Sequence, residues 1–167
     1  GRALRRAWTE SDADVVSYMD VDLSTELAAL PKVVNAIARE GFDVAIGSRL
    51  MPGARIDRSS KREFISRSYN LLVRLLLRTK FSDAQCGFKG MRRDACRLLV
   101  PHVKDRKWFF DTELLVLAEK SGHRIAEVAV AWIEDLDTRV ELLKTIADDL
   151  TALARLRREI GGTLARI

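Results

Sequence analysis

Two aspartates one residue apart, Asp20 and Asp22, close the apolar run Val15-Val16-Ser17-Tyr18-Met19. Alternate side chains of an extended backbone point the same way, so both carboxylates can face one ligand. Two hard oxygen donors at that spacing suit a divalent cation that phosphate oxygens also hold. The same residues suit a plainer role, a strand-end turn with Asp at capping positions before a helix that begins near Ser24 or Thr25. A second set of candidates is basic. Residues 55–80 carry eight Lys and Arg side chains against two acids, Asp57 and Glu63, so this stretch alone exceeds the chain's formal net charge of +5. That uneven placement points to an anionic partner there.

The elements that must position these groups follow from periodicity and punctuation. The run 15–19, rich in β-branched and aromatic residues, reads as a buried strand. The tail of a helix over 3–8 and a polar connection over 11–14 precede it. Leu30, Val33, Val34, Ile37 and Ala38 recur at helical spacing, with Pro31 in the first turn and Gly41 as the stop. Phe42 to Gly47 is a second short strand leading into Ser48-Arg49. Strand, helix and strand at this spacing form a βαβ unit, so a parallel sheet is expected. Ligands of such sheets bind beyond the carboxyl ends of the strands, the edge on which Asp20, Asp22 and Arg49 all fall.

Met51 to Ser60 reads as a loop turning at Pro52-Gly53, and Lys61 to Arg78 as a helix. Phe64, Ile65, Tyr69, Leu72, Val73, Leu76 and Leu77 form its apolar face, with Arg62, Arg67, Arg74 and Arg78 toward the other side. Such a helix suits a membrane surface, and equally a core position with a solvated basic face. Phe81 to Arg93 has no clear period and reads as a bulged hairpin or a turn. A short helix over 94–99 ends at Pro101. Asp111 is a candidate N-cap for a helix that continues over 114–120 to Gly122. Arg124 to Trp132 alternates as a strand. The acidic loop 134–137 then leads to a last helix capped by Thr138, with Val140, Leu143, Ile146, Leu150, Leu153 and Leu156 as its packing stripe.

The 167 residues suit a single domain with a real core, and 47% hydrophobic with 32% charged residues exclude a disordered class. No apolar run approaches the ~18–20 residues of a membrane span, and no secretory signal pattern is present. Cys86 and Cys96 lack metal-ligand spacing and are too few for a disulfide framework, so a reducing cytosol is expected. His102 and His123 are isolated and receive no role.

Five motifs, in order over nearly the whole chain, resemble the C-terminal part of a family-2 glycosyltransferase of the GT-A fold. The closest group is the polyprenyl-phosphate and dolichyl-phosphate hexose synthases. The motifs are Tyr18-Met19-Asp20-Val21-Asp22-Leu23-Ser24-Thr25, Ile46-Gly47-Ser48-Arg49, Asp83-Ala84-Gln85-Cys86-Gly87-Phe88-Lys89, Phe110-Asp111-Thr112-Glu113-Leu114, and Glu127-Val128-Ala129-Val130-Ala131-Trp132 with Arg139-Val140.

The resemblance implies an α/β fold, a partial GT-A or Rossmann-like domain over 1–167 with a mixed, mainly parallel sheet flanked by helices. It implies transfer of glucose or mannose, with inversion, from a UDP- or GDP-hexose to polyprenyl or dolichyl phosphate. Asp20 and Asp22 would hold a divalent metal, Mg²⁺ or Mn²⁺, and the donor diphosphate. Arg49 and Arg139, with Arg62, would bind the acceptor phosphate. Asp83 and Gln85 would line the donor sugar, and Ser48, Lys89 and Trp132 fall at further substrate-binding positions. Asp22 and Asp111 fall at catalytic ones, Asp111 where the family often places its base. A phosphate nucleophile is already ionised near neutrality, its second pKa being about 6, so orienting the sugar or an arginine suits Asp111 as well.

The resemblance also implies a peripheral position at the inner, cytoplasmic face of a membrane. Family members begin with nucleoside-binding βα units that the present sequence does not show. A fragment with weak activity alone is therefore expected, completed by an N-terminal segment or by another copy in a homo-oligomer. Two alternatives stand beside this reading. One is transfer to a soluble saccharide or protein acceptor. The other is an inactive interaction or oligomerisation module, for which nucleic acid is not an expected partner because no basic patch interleaved with aromatics is present.

Overall fold

The apolar run before Asp20 forms strand β1 (Val15–Met19), after a helix α1 (Arg2–Glu10), in a computed structural model that describes residues 1–22, 24–133 and 142–167. Helix α2 (Leu30–Ala38) follows, with Pro31 in its first turn, and Gly41 at φ +75° turns the chain into β2 (Val44–Ser48). Glycine reaches that left-handed region without the Cβ clash other residues meet.

The main sheet has the order β1-β4-β2-β5, with β4 (Phe88–Arg92) and β5 (Ile125–Ala129). β4 is antiparallel to both β1 and β2, and β2 is parallel to β5. Three of the four strands therefore run in one direction, as the mixed, mainly parallel expectation has it. The strands of the β1-α2-β2 unit are parallel without being neighbours, because β4 lies between them. The segment expected to be a hairpin or turn thus supplies an inner strand. A second sheet pairs β3 (Arg55–Asp57), inside the expected loop 51–60, in parallel with β6 (Ala131–Ile133). The strand expected over 124–132 is split at Val130 between the two sheets.

Each face of the main sheet is covered. Val33, Ala36 and Ile37 of α2 bury against Ala45, Phe88 and Ala126. On the opposite face Val16, Val44, Ile46 and Met91 join helices α3 (Ser60–Leu77), α4 (Arg93–Leu99), α5 (Phe110–Lys120) and α6 (Leu142–Leu164). Burial of each large apolar side chain is worth about 1.5–3 kcal/mol, and this two-sided core fixes the register of the sheet. α3 turns Tyr69, Leu72, Val73, Leu76 and Leu77 inward, but Phe64 is 73% exposed, a correction to the expected apolar face. On α6, Leu153 and Leu156 are buried in this core while Leu150 faces out. Thr138 and Val140, expected as cap and first stripe residue, lie outside the described residues.

Candidate active site

β1 delivers Asp20 to the carboxyl edge of the sheet, where its N–H donates to the Gly87 carbonyl at 2.8 Å. A Cβ on residue 87 would lie 1.7 Å from Asp20 Oδ2, so only glycine leaves room for this carboxylate. Burial raises the Asp20 pKa, and the neighbouring Asp22 raises it further, against the lowering influence of Lys89 and Arg49. Asp22 is exposed, and its Oδ1 accepts the Ser24 N–H at 2.9 Å. The turn role that the sequence also allowed is therefore formed. Ser24 and Glu26 are in turn bonded to β6, which sets this turn beside Trp132.

Arg49, at the end of β2, is held by Asp83. The carboxylate accepts the Arg49 backbone N–H at 3.0 Å, Nε at 2.8 Å and Nη2 at 2.9 Å. Burial acts against the Arg49 charge, but Asp83 outweighs it and holds the guanidinium above its ordinary pKa. Burial likewise acts against the Asp83 carboxylate, and Arg49 keeps it below its usual range. Asp83 is fully buried and does not line the cavity, where the sugar contact is expected of it; what the structure shows it doing is orienting Arg49. Its own loop is pinned by Asn70 of α3, whose Oδ1 accepts the Ala84 N–H at 2.8 Å. Ser48 is also fully buried. Its hydroxyl bonds that of Ser82 at 2.7 Å, and Ser82 is held by Glu127 of β5. Ser48 therefore supports the turn, its hydroxyl also accepting the Leu50 N–H at 3.2 Å.

Asp111 sits in the first turn of α5, where Phe109 takes the N-cap position, so the capping role does not apply. The Tyr18 hydroxyl donates to Asp111 Oδ1, and the Lys89 ammonium lies 3.2 Å from the same oxygen. Lys89 is 1% exposed and also donates to the Cys86 carbonyl at 2.5 Å. A buried ammonium is costly unless paired, and both partners are internal. Lys89 is thus a counter-charge beneath Asp111 and Asp20.

These elements enclose a cavity of about 280 Å³ in which Asp20, Arg49, Arg62, Gln85, Asp111 and Trp132 all take part. Asp22, Ser48, Asp83 and Lys89 do not line it, and Arg139 lies outside the described residues. Residues without a local sequence signal complete it. Arg58, from the end of the β3 loop, stands 5.6 Å from the Trp132 ring centroid, and Arg49 stands 5.5 Å from it. Arg58 also pairs with Glu63. Tyr69 bonds Thr112 at 3.0 Å, and Asp149 of α6 accepts from Gln85 at 2.7 Å. Only the position of Arg58 within the basic stretch pointed to its involvement.

The cavity places three guanidinium groups and the half-buried Trp132 indole around the exposed Asp20 carboxylate, a layout suited to anionic, phosphorylated ligands. Among the described residues no group of three or more acidic, His or Cys side chains can hold a metal. The Asp20–Asp22 pair, with its raised carboxyl and the space kept by Gly87, fits a cation shared with phosphate oxygens, not a dedicated protein cage.

Comparison with known proteins places this fold in a family. The family model for glycosyl transferase family 2 matches residues 1–99. The chain belongs to glycosyl transferase family 2. It is 44% identical over 146 residues to glycosyltransferase AglD of Haloferax volcanii, covering 87% of this chain and 23% of the relative. It is 31% identical over 140 residues to the dolichyl-phosphate beta-glucosyltransferase of Dictyostelium discoideum, covering 80% of this chain and 43% of the relative. Among solved structures, glucosyl-3-phosphoglycerate synthase of Mycobacterium tuberculosis, in complex with Mn²⁺ and UDP-glucose, gives a TM-score of 0.62 at 16% identity, over 93% of this chain and 52% of that one. This last likeness shows the shared GT-A architecture alone. The chain spans about half or less of the length of these relatives.

Proposed function

We propose that the protein carrying this chain transfers a hexose, with inversion, from a nucleoside diphosphate sugar to a polyprenyl or dolichyl phosphate. The observation that carries this reading is the shared cavity of Asp20, Asp111 and the guanidinium groups of Arg49, Arg58 and Arg62. An enzyme joining two phosphorylated substrates needs anion binding at two places and an acidic group near the donor diphosphate. The relatives named as dolichyl-phosphate beta-glucosyltransferases support glucose and a lipid phosphate.

Asp20 and Asp22 would hold the divalent cation, Mg²⁺ or Mn²⁺. When bound, the cation offsets charge that builds on the leaving diphosphate. Arg49, fixed by Asp83, is pre-oriented to fork onto an acceptor phosphate, with Arg58 and Arg62 beside it and Arg139 as a further candidate. Pre-orientation lowers the entropy lost when the substrate binds. An ionised phosphate oxygen attacks the anomeric carbon directly, and the glycosidic bond to the diphosphate breaks as the new bond forms. No strong base is required, so Asp111, held by Tyr18 and Lys89, orients the sugar or a phosphate-binding arginine.

The acceptor would approach from a membrane surface. Phe64, Leu71 and Leu75 of α3 are exposed beside Arg67, Arg74 and Arg78, an arrangement suited to the interface of an anionic bilayer. No helix of the described residues is long and apolar enough to cross a membrane. The reading is tested by following radiolabelled glucose or mannose from UDP-glucose or GDP-mannose into dolichyl phosphate. Transfer that proceeds equally well without the lipid removes the acceptor assignment.

A further inference from the structure

Asp149 is only 4% exposed, yet it lines the cavity. A buried carboxylate is costly without bonds to its oxygens, and in most sites a cation supplies them. Here the bond at Oδ2 comes from the neutral Gln85 amide at 2.7 Å. The charges that act on Asp149 are those of Asp105 and Asp148, of its own sign. Among the described residues no donor is recorded at Oδ1. The pair therefore presents acceptor oxygens from a carboxylate and an amide to the cavity. Trp108, Tyr69 and Thr145 stand on the same lining.

We propose that the Gln85–Asp149 pair reads a hydroxyl of the transferred hexose, with Trp108 packing on the sugar ring, so that α6 is a specificity-determining element. This rests on the transferase reading above. Phosphate is disfavoured beside a carboxylate, and it has Arg49, Arg58 and Arg62 in the same cavity. A cation is disfavoured because, among the described residues, no group of three acidic, His or Cys side chains is placed to hold one. Sugar hydroxyls are neutral donors, and a carboxylate is their strongest neutral-pH acceptor. The apolar face of a pyranose suits an exposed indole. Trp108, Thr145 and Asp149 also line an adjoining cavity of about 510 Å³, so they form the wall between the two spaces. α6 is fixed there by Arg155, whose Nη2 donates to the buried Glu113 of α5 at 2.8 Å.

The test compares affinities of the intact protein for UDP and UDP-glucose, and for GDP and GDP-mannose, with Mn²⁺ present. Asp149→Ala and Gln85→Ala should leave the nucleotide diphosphate affinity within about twofold of wild type and weaken the preferred nucleotide sugar about tenfold, the value of one good hydrogen bond to a charged group. A fall in both affinities together marks a structural role and overturns the assignment, as does no fall in either. A second measurement needs no variant. Among monodeoxy donors, one should bind the wild-type protein about tenfold more weakly than the parent sugar nucleotide, and equal binding of all of them overturns the assignment. A wild-type protein that binds neither UDP nor GDP with Mn²⁺ would instead sink the transferase reading itself.

Discussion

A glycine and a carboxylate constrain each other at the tip of β1. Because a Cβ at residue 87 would overlap the Asp20 carboxylate, Gly87→Ala should displace that side chain. The expected result is a folded protein whose Mn²⁺-dependent nucleotide affinity falls about tenfold or more, roughly 1.4 kcal/mol, as read by titration calorimetry with circular dichroism as the folding control. Asp83 is the reverse case, a residue outside the cavity that governs one inside it. Removing it as Asp83→Ala leaves Arg49 buried and uncompensated, a loss of about 3–5 kcal/mol in urea unfolding. The Asp83 pKa is lowered on folding, so its contribution is present above the ordinary carboxylate range and lost as pH falls. Asp149 has the opposite sign. Burial pushes its pKa up from 3.8 to about 6, so stability falls as pH rises between those values and is level above them. Asp149→Asn should match wild type below that window and gain up to about 3 kcal/mol above it, in chemical denaturation at several pH values. A variant that is more stable and binds the sugar less well is the signature of a residue kept for function.

Among the elements, the amphipathic ones were legible and the inner strand β4 was not. α2, α3 and α5 show helical spacing of apolar residues, and β1 and β2 show short apolar runs. β4 hides its alternation because each of its unusual residues answers a tertiary demand. Lys89 is a buried counter-ion to Asp111, and a Cβ at Gly90 would meet Val33 and Ile37 of α2 at 3.0 Å. The glycine before the strand makes room for Asp20. No local period encodes such contacts. The same holds for Arg58 and Asp149, which reach the cavity only through the placement of the β3 loop and α6, whereas Asp20, Arg49, Gln85, Asp111 and Trp132 stood in recognisable motifs. Phe88 on β4 is fully buried against α2, and Phe88→Ala should cost about 3–5 kcal/mol in the same unfolding assay. On α3, replacing exposed Phe64, Leu71 and Leu75 together by Ser should leave thermal stability nearly unchanged. It should weaken sedimentation with vesicles containing phosphatidylserine, and equal binding by the triple variant would remove α3 from the membrane surface.

For the whole molecule, the sheet edge, the Arg49–Asp83 clamp and the α5–α6 pairing converge on one cavity, which the proposed function fills with two phosphorylated ligands. The residues that line it come from β1, β2, the β3 loop, α3, the loop before β4, α5, β6 and α6, so the cavity exists only in the assembled fold. The most direct measurement follows labelled hexose from a nucleotide sugar into the lipid fraction, with the intact protein, Mn²⁺ and dolichyl phosphate, beside Asp20→Asn and Arg49→Ala variants. Labelled dolichyl phosphate hexose from the wild type, lowered at least about a hundredfold (about 2.7 kcal/mol of transition-state stabilisation) by either variant, is the expected result. Transfer that survives both substitutions, or that never appears in lipid, would contradict a cavity joining the two phosphates.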